Sequence, residues 1–442
     1  MTTARIVMPT ILVVTLILQA LLSRRRVLVV VMGAGLSCLA STLLHVAPAS
    51  RLLAEVPWDV LIILVALGVL SRMLAEARLF DRLAVLATSI SRAAALRIFV
   101  VFSVVMYVVS GVVNNITALV LVLPVLHVLL KLISPQQRYV SWMVGMVLVA
   151  CNLGGAATPI GDFPAILLLS GGRMTFSGYL VQAAPATLIA LLILLGLILL
   201  LVRPARGIPN DPVSAQLTQR IVFAMHRNIR IDKRVFIPAA ISLGLMLLAW
   251  TALPASWGIT PELVCWLGVG LALVLRHQLG EKLIRSGIDS EATLFLLSLF
   301  IMVVGVRKTG VFESAALTIQ HLPISPTLQL VVFLLAAGII TGIFSAGPSM
   351  AALLDVADSL ARRLPPNAVY VGLALAVCAG SSLFLTAATS GPIAQAITER
   401  ANLREPGGRY LRFGFFEFLP TGLVAFAVIE TVAIGYALFS LA

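Results

Sequence analysis

Long apolar runs, separated by short polar or charged segments, dominate the chain. Many of them are roughly 17–25 residues long, the length at which an α-helix crosses a bilayer. Two apolar pairs, 96–133 and 326–364, have a polar break in the middle, and each fits either a re-entrant hairpin or two full spans. The other runs predict ten membrane-spanning helices, at residues 6–22, 27–47, 58–75, 139–170, 175–202, 235–253, 259–276, 291–306, 369–397 and 413–441.

The composition agrees with this pattern. Of the 442 residues, 60% are hydrophobic and only 11% are charged, whereas a soluble globular domain carries about 25% charged residues. We therefore predict an all-α polytopic protein of the cytoplasmic (inner) membrane, with the lipid bilayer as a partner. The apolar start is followed by Arg24, Arg25 and Arg26 instead of a cleavage site, so we interpret it as the first membrane helix. The four cysteines stand alone in apolar runs, which predicts neither a disulfide framework nor a metal site.

The net charge of +13 would suit a nucleic-acid partner if the basic residues were clustered on one surface. The basic residues are instead spread over the loops between the predicted helices, and more of them lie on one side of the membrane than on the other. With the N-terminus outside and each predicted helix crossing once, 24 of the 31 Lys and Arg residues fall in cytoplasmic loops and 7 fall outside. Cytoplasmic loops of membrane proteins are enriched in basic residues. The charge therefore predicts ten spans with both termini outside, and no nucleic-acid partner.

The chain divides into two similar halves. A basic, proline-containing segment at 203–234 predicts a cytoplasmic linker between a first repeat at 1–202 and a second repeat at 235–442. The stretch 59–81 of the first half matches the stretch 291–313 of the second. Because each half has five spans, an odd number, the second half enters the membrane in the opposite orientation. Inverted repeats with interrupted helices are typical of secondary transporters.

Each half carries a polar hairpin tip followed by a broken helix. Irregular backbone at membrane depth is tolerated only where it is buried in protein or lines a wet cavity. We expect the two tips and the two breaks to meet across a pseudo-two-fold axis and to form one central ion site. The first tip and break supply the candidate residues Asn114, Asn115, Thr117, Asn152, Gly155, Thr158 and Asp162. The second tip and break supply Ser345, Ser349, Ser381, Ser382, Thr386 and Thr389.

Asp162 is the sharpest candidate, since it follows Thr-Pro-Ile-Gly inside an apolar run. Carboxylates at membrane depth are costly and usually functional. Free N–H groups at the start of a half-helix favour an anion, whereas free carbonyl groups at the end of one favour Na⁺ or another cation. We therefore expect Asp162 to coordinate a cation or to couple transport to protons. The alternative is a carboxylate that caps a helix or reaches water.

Other polar residues have structural interpretations. Glu430 lies deep in the last predicted helix, where we expect a structural hydrogen bond. Asp59 and Glu291 start equivalent helices and suit the positive end of the helix dipole. Cys151 and Cys378 fall at nearly equivalent positions, where a small buried side chain is favoured over a thiol that binds trivalent arsenic.

Taken together, the motifs resemble the ion transporter superfamily. The most specific element is the string from Gly154-Gly155 to Asp162, preceded by Asn114-Asn115-Ile-Thr117. These motifs are most similar to the branch of arsenite permeases and NhaD-type Na⁺/H⁺ antiporters, and more distantly similar to divalent anion/sodium symporters. The resemblance implies an elevator-type homodimer, in which a transport domain moves against a scaffold and transport is coupled to Na⁺ or H⁺.

Carried over residue by residue, the resemblance implies that the asparagines and threonine of the first tip, with Thr158 and Asp162, line the substrate or cation site. The serines and threonines of the second half would line its counterpart. The second tip departs from the family pattern, because Ser345 to Ser349 include neither the Asn of the symporters nor the Asp-Asn of the antiporters. One expected cation ligand is therefore missing, which puts coupling to two cations in doubt.

We predict an ion-coupled secondary transporter of a small ion, and not an enzyme. Na⁺/H⁺ antiport is the first interpretation, because Asp162 suits a cation. Arsenite or another oxyanion, or a small carboxylate, is the alternative, because the uncharged second half suits an anion or a neutral hydroxide. Apart from Na⁺ or H⁺ as coupling ion, no cofactor is predicted. An intramembrane serine protease would need a His partner for Ser349, and a channel would need charged rings in its pore; neither pattern is evident.

Overall fold

The computed structural model describes residues 2–22, 25–92, 94–133, 135–208, 230–253, 257–286, 290–320, 323–388, 390–405 and 407–441. Within these ranges the chain is built of helices, loops and a single isolated antiparallel bridge between Arg404 and Tyr410. Eight of the described helices are long and apolar enough to cross a membrane by length and composition. The chain is therefore an all-helical polytopic membrane protein, as the apolar runs predicted.

The described residues of the first half form ten helices, and the last of them continues as a π-helical turn at Ile198–Val202. In chain order they are α1 (Thr2–Leu21), α2 (Arg26–Leu43), α3 (Ala49–Ala54), α4 (Trp58–Glu76), α5 (Leu79–Ser91), α6 (Ala95–Ser110), α7 (Asn115–Ile133), α8 (Gln137–Ala157), α9 (Phe163–Ser170) and α10 (Phe176–Leu197).

The described residues of the second half also form ten helices, in a matching order of lengths and connections. They are α11 (Lys233–Ala252), α12 (Pro261–Leu275), α13 (His277–Ser286), α14 (Ser290–Arg307), α15 (Val311–Gln320), α16 (Pro326–Phe344), α17 (Ala346–Leu360), α18 (Pro366–Ser381), α19 (Gly391–Arg400) and α20 (Phe415–Phe439).

Short polar residues set the start of several helices. At the start of α10 the Thr175 hydroxyl accepts a hydrogen bond from the Gly178 N–H group at 3.1 Å. At the start of α16 the Ser325 hydroxyl accepts one from the Leu328 N–H group at 3.3 Å. Each cap satisfies an N–H group that has no partner within its own helix. The apolar runs that follow then continue as helices without further polar support.

The helices pack into two groups. We call α1–α4 with α11–α14 the support group, and α6–α10 with α16–α20 the hairpin group, because the latter contains the antiparallel pairs α6–α7 and α16–α17. Within the support group α2 packs against α14, and α4 packs against α12. The amphipathic helices α5 and α15 each contact helices of both groups. The two groups meet where α4 packs against α7 and α9, and where α14 packs against α17.

Contacts of the first half recur in the second. In the hairpin group α8 packs between α6 and α10, and α18 packs between α16 and α20. Contacts between the halves also come in pairs, since α7 packs against α19 and α17 packs against α9. The matching contacts mean that each half supplies equivalent surfaces to the other.

Two glycines allow the helices of the hairpin group to approach closely. A Cβ atom added to Gly154 of α8 would collide with the backbone carbonyl of Tyr107 in α6, and one added to Gly380 of α18 would collide with the carbonyl of Gly338 in α16. Small residues are common where membrane helices pack with their backbones in near contact. The same close approach therefore holds the hairpin to the broken helix in both halves.

The interruptions expected within 139–170 and 369–397 are confirmed. Residues 158–162 separate α8 from α9, and residues 382–390 separate α18 from α19. The helices α3 and α13 were not predicted, because α3 has only six residues and α13 is short and strongly charged, so neither forms a long apolar run. Most of the predicted linker, residues 209–229, lies outside the described residues.

We expect Gly154→Ala and Gly380→Ala each to destabilise the protein by about 1–3 kcal/mol, the usual cost of overpacking a well-packed interior. Thermal unfolding of the purified protein in detergent measures the effect as a lower Tm. Gly196→Ala is the matched control, because a Cβ at this α10 position meets no atom within 4 Å and alanine favours the helix by roughly 0.5–1 kcal/mol. Variants at 154 and 380 that melt no lower than the control would contradict the close approach.

Candidate functional site

A cavity of about 130 Å³ lies between the support group and the hairpin group. One wall is formed by α4 and by the start of α14. The opposite wall is formed by both hairpin tips and both helix breaks. The expectation that tips and breaks of the two halves meet at one central place matches this geometry. A cavity of this volume has room for several water molecules or a small ion with its ligands.

The first hairpin tip is held by its two asparagines. Asn114 precedes α7, and its Oδ1 atom accepts a hydrogen bond from the Thr117 N–H group at 2.8 Å. The Oδ1 atom of the next residue, Asn115, accepts one from the Ser110 hydroxyl at the end of α6, at 2.5 Å. Both asparagines also line the cavity. The tip is thus a helix start whose free N–H groups and amide side chains are directed towards the cavity.

The first break is tied to this tip by Thr158. Its hydroxyl donates to the Gly111 carbonyl at 2.6 Å and accepts from the N–H groups of Ile160 and Gly161, each at 3.3 Å. A Cβ on Gly155 would collide with the Asn115 side chain, so glycine is required there. The irregular backbone between α8 and α9 is therefore paired within the protein.

Asp162 ends the break and starts α9. Its Oδ1 atom accepts a hydrogen bond from the Phe163 N–H group at 2.9 Å, and the side chains of Asn115 and Asp162 both lie beside Gly155. The residue is partly exposed and lines the cavity. The predicted alternatives are combined here, because Asp162 caps a helix and also presents a carboxylate to the cavity.

Residues of the second half close the cavity from the other side. Ser345, which separates α16 from α17, has a φ of 77°, in the left-handed region. The following residues, Ala346 and Gly347, line the cavity at the first turn of α17. Asn152 of α8 donates through Nδ2 to the Ser381 carbonyl at 3.3 Å and to the Ser382 hydroxyl at 3.1 Å. This contact joins the two breaks.

The predicted site residues take different places around this cavity. Those that line it are Asn114, Asn115, Asn152, Asp162 and Ser381. Those that support the lining residues or lie beside them are Thr117, Gly155, Thr158, Ser345 and Ser382.

The remaining three predicted residues contribute differently. Ser349 is buried in α17, one turn beyond the tip, and its hydroxyl has no hydrogen-bond partner among the described residues. Thr386 is exposed and does not line the cavity. Thr389 lies outside the described residues.

Sequence reasoning missed the wall that the support group provides. It consists of apolar side chains of α4 and α14, with Ser71, Glu291 and Thr293 as its polar members. Glu291 lies in the first turn of α14, as predicted from its place at a helix start, and it also lines the cavity. Only the polar residues of this wall gave a signal in the sequence, as interruptions of apolar runs.

The electrostatics of the cavity combine two opposite features. The first turns of α7, α9, α14 and α17 all contribute lining residues, so four positive helix-dipole ends meet there. Asp162 and Glu291 are acidic, and none of the lining residues that the structure describes is Lys, Arg or His. The cavity therefore offers helix N-termini to an anion and carboxylates to a cation.

No group of three or more His, Cys, Asp or Glu side chains that could hold a metal ion occurs in the described part of the chain. The cysteines are free thiols, and Cys151 and Cys378 are both buried. The Cys151 sulfur lies 3.4 Å from the Ser110 hydroxyl, behind the first tip.

The expectation for Glu430 is wrong. It is buried, but neither carboxylate oxygen has a hydrogen-bond partner among the described residues. The sequence shows an acid in an apolar run, whereas the absence of a partner depends on which residues of the neighbouring helices face it.

Comparison with known proteins finds a matching protein family. The model of the citrate transporter family matches residues 11–260 and 245–441. An uncharacterized transporter of Mycobacterium tuberculosis is 28% identical over 380 residues, which cover 85% of this chain and 84% of that protein. Magnetosome protein MamN of Paramagnetospirillum magneticum is 25% identical over 400 residues, which cover 87% of this chain and 88% of that protein. Sodium/proton antiporter 1 of Arabidopsis thaliana is 24% identical over 286 residues, covering 62% of this chain and 46% of that protein.

The matching family and the mycobacterial relative are transporters and not enzymes, which confirms the predicted class. The match to the family model extends over both halves, including the tips and the breaks that surround the cavity. The chain therefore belongs to the citrate transporter family (CitMHS), within the ion transporter superfamily that its motifs resemble.

Proposed function

We propose that the protein is an elevator-type secondary transporter of the cytoplasmic membrane that moves a small carboxylate anion together with a cation. The observation that carries this proposal is the joint presence of four helix N-termini and two carboxylates around one cavity, whose described lining residues include no basic side chain. Citrate is the candidate anion, because the matching family is one of citrate transporters.

Asp162 is the proposed cation ligand. Among the described residues, its carboxylate is the one ionisable group that the hairpin group contributes to the cavity lining, and the Asn115 amide lies beside it, next to Gly155. Carboxylate and amide oxygens are suitable ligands for hard cations such as Na⁺ and Mg²⁺. A proton on Asp162 is the other way to neutralise this site.

The carboxylates of the anion would bind at the helix starts. The N–H groups and positive dipole ends of α7, α9 and α17 favour negative charge. An anion alone would also meet Asp162 and Glu291, which repel it at short range. A cation bound at the same time removes this repulsion, so we expect each ion to bind more tightly when the other is present.

The elevator mechanism is supported by the distribution of polar residues. Most polar cavity residues belong to the hairpin group, whereas the wall supplied by the support group is largely apolar. Because most of the polar lining residues belong to one group, a bound ion can move together with the tips and breaks that hold it. The matching contacts of the two halves support inverted repeats at 1–202 and 235–442, with α6–α7 and α16–α17 as re-entrant hairpins. We also propose the homodimer that the superfamily resemblance implies.

Na⁺/H⁺ antiport is the second candidate function. It is favoured by the two carboxylates in the cavity lining, since Lys, Arg and His do not occur among the lining residues that the structure describes. The similarity to sodium/proton antiporter 1 of Arabidopsis thaliana points the same way. In this case Asp162 would bind Na⁺ and H⁺ alternately, and added citrate would leave transport unchanged.

Replacement of Asp162 by Asn removes the negative charge but keeps the shape of the side chain. We expect at least a tenfold loss of cation-dependent citrate uptake into proteoliposomes, corresponding to about 1.4 kcal/mol or more. Glu417→Gln is the matched control, since Glu417 lies in the first turn of α20 and does not line the cavity. Unchanged cation-dependent uptake by the Asp162 variant would rule out its proposed role.

The orientation with both termini outside can be tested with single cysteines in a Cys38→Ser background. Thr3 and Arg206 are both exposed, and they lie on opposite sides of the membrane in the proposed topology. A membrane-impermeant maleimide should label Thr3→Cys in intact cells, but should label Arg206→Cys only after permeabilisation. The reverse pattern would contradict the orientation assigned from the basic loops.

A further inference from the structure

Glu430 is a buried acid that the proposed transport site does not use. It lies in the second half of α20 and is 3% exposed. Its Oε2 atom packs directly over Gly338 of α16, where an added Cβ would lie 2.6 Å from it. Within the described residues neither carboxylate oxygen has a hydrogen-bond partner. A buried polar group without a partner carries a desolvation cost, and the cost is far larger for a charged group.

No cationic side chain is placed to pair with Glu430. The helices packed against α20 are α8, α10, α16 and α18, and Arg138 in the first turn of α8 is their only Lys, Arg, His, Asp or Glu residue. Arg138 donates to the Val202 carbonyl instead. The other titratable side chains of these helices and of α20 are Tyr139, Cys151, Tyr179, Tyr370, Cys378, Glu417 and Tyr436.

None of these other groups is positively charged at neutral pH. Ionised, the Glu430 carboxylate would be an unpaired charge between apolar helices. In the protonated form the side chain is neutral, and its burial has only the smaller free-energy cost of burying a polar group. The packing of α20 therefore favours the protonated form of Glu430.

At the equivalent place in the first half, a polar side chain has hydrogen-bond partners. Tyr107 of α6 corresponds to Gly338 of α16, because each presents its carbonyl to the equivalent glycine, Gly154 or Gly380. The Tyr107 hydroxyl lies 3.2 Å from the Ala184 carbonyl and 3.0 Å from the Thr187 hydroxyl, both in α10. In the second half the tyrosine is replaced by a glycine, and an acid from α20 fills the space.

A second buried polar group without a partner among the described residues lies close to this place. Thr341 lies one turn after Gly338 in α16, and its buried hydroxyl also has no partner among the described residues. The Thr341 side chain packs at Gly380, and the next residue, Ser381, lines the cavity. A buried acid and a buried hydroxyl, both without a partner among the described residues, therefore lie about one turn apart along α16.

We propose that Glu430 is a proton-binding site of the hairpin group, separate from Asp162. It holds a proton while α16, α18 and α20 are packed as observed, and it releases the proton when water reaches the interface of α16 and α20. Loss of the proton places an unpaired charge in that interface and loosens it. The site contacts neither the substrate nor the coupling cation and does not depend on their identity.

The proton can be detected chemically in the unaltered protein. Dicyclohexylcarbodiimide enters apolar regions and reacts with protonated carboxyl groups. The acid O–H adds across a C=N bond to give an O-acylisourea, which rearranges to a stable N-acylurea. We expect peptide mass spectrometry to find the adduct on Glu430 at neutral pH, and the yield to fall about tenfold per pH unit once the group ionises. Asp162→Asn should leave this labelling unchanged.

Glu430→Gln provides the second measurement, because glutamine mimics the neutral acid. The wild-type Tm and uptake rate should fall at alkaline pH as Glu430 ionises, whereas the Glu430→Gln variant should lack this additional fall. Glu417→Gln is the control and should keep the wild-type pH profile. The labelling experiment uses the unaltered protein, so it still tests the proton site if the Glu430→Gln variant does not fold.

Two results would overturn the proton site. One is the absence of a Glu430 adduct at every pH under conditions that label another carboxyl group. The other is a folded Glu430→Gln variant whose pH profiles of Tm and uptake superimpose on those of the wild type. Neither result would affect the role proposed for Asp162, because that role is tested by cation-dependent uptake.

Discussion

Broken helices inside a membrane expose N–H and carbonyl groups that lipid cannot satisfy, so the protein itself must pair them. Here the Thr158 hydroxyl connects the first break to the Gly111 carbonyl of the first tip, and Asn114 caps the helix that leaves the tip. Asn152 joins the first break to the second through Ser381 and Ser382. These hydrogen bonds hold the first tip and the two breaks together. The cavity is the space that remains between them and the support group.

The two helix groups contribute differently to the cavity. The polar groups are concentrated in the hairpin group, which is internally bound by close glycine contacts and by hydrogen bonds between its halves. The support group offers the cavity a largely apolar wall. Few directional contacts across the cavity need to break if one group moves past the other. In the proposed elevator mechanism, most of the polar groups of the cavity would move as a unit, as alternating access requires.

Much of this could be predicted from the sequence, because polar and helix-breaking residues inside apolar runs are conspicuous. That signal identified Asn115 and Asp162, and it placed the interruptions of both long helices correctly. It could not identify the apolar wall, since residues such as Leu64 and Phe295 look like any other lipid-facing or core residue. The solitary position of Glu430 was equally hidden, because it depends on the glycine that faces it, Gly338, almost a hundred residues earlier in the chain. Which residues face each other across helices depends on tertiary packing, and the periodicity of apolar residues in the sequence does not reveal it.

The central claim is that an anion and a cation share one cavity and that Asp162 holds the cation. Calorimetric titration of the purified protein with citrate, without added cation and with saturating Na⁺ or Mg²⁺, tests it most directly. Coupled binding is reciprocal, so a shared site predicts that one of these cations lowers the Kd for citrate by a factor of about 5–150. Asp162→Asn should abolish that difference while leaving a folded protein. Equal citrate affinity with and without the cations, or coupling that persists in the Asp162 variant, would contradict the account.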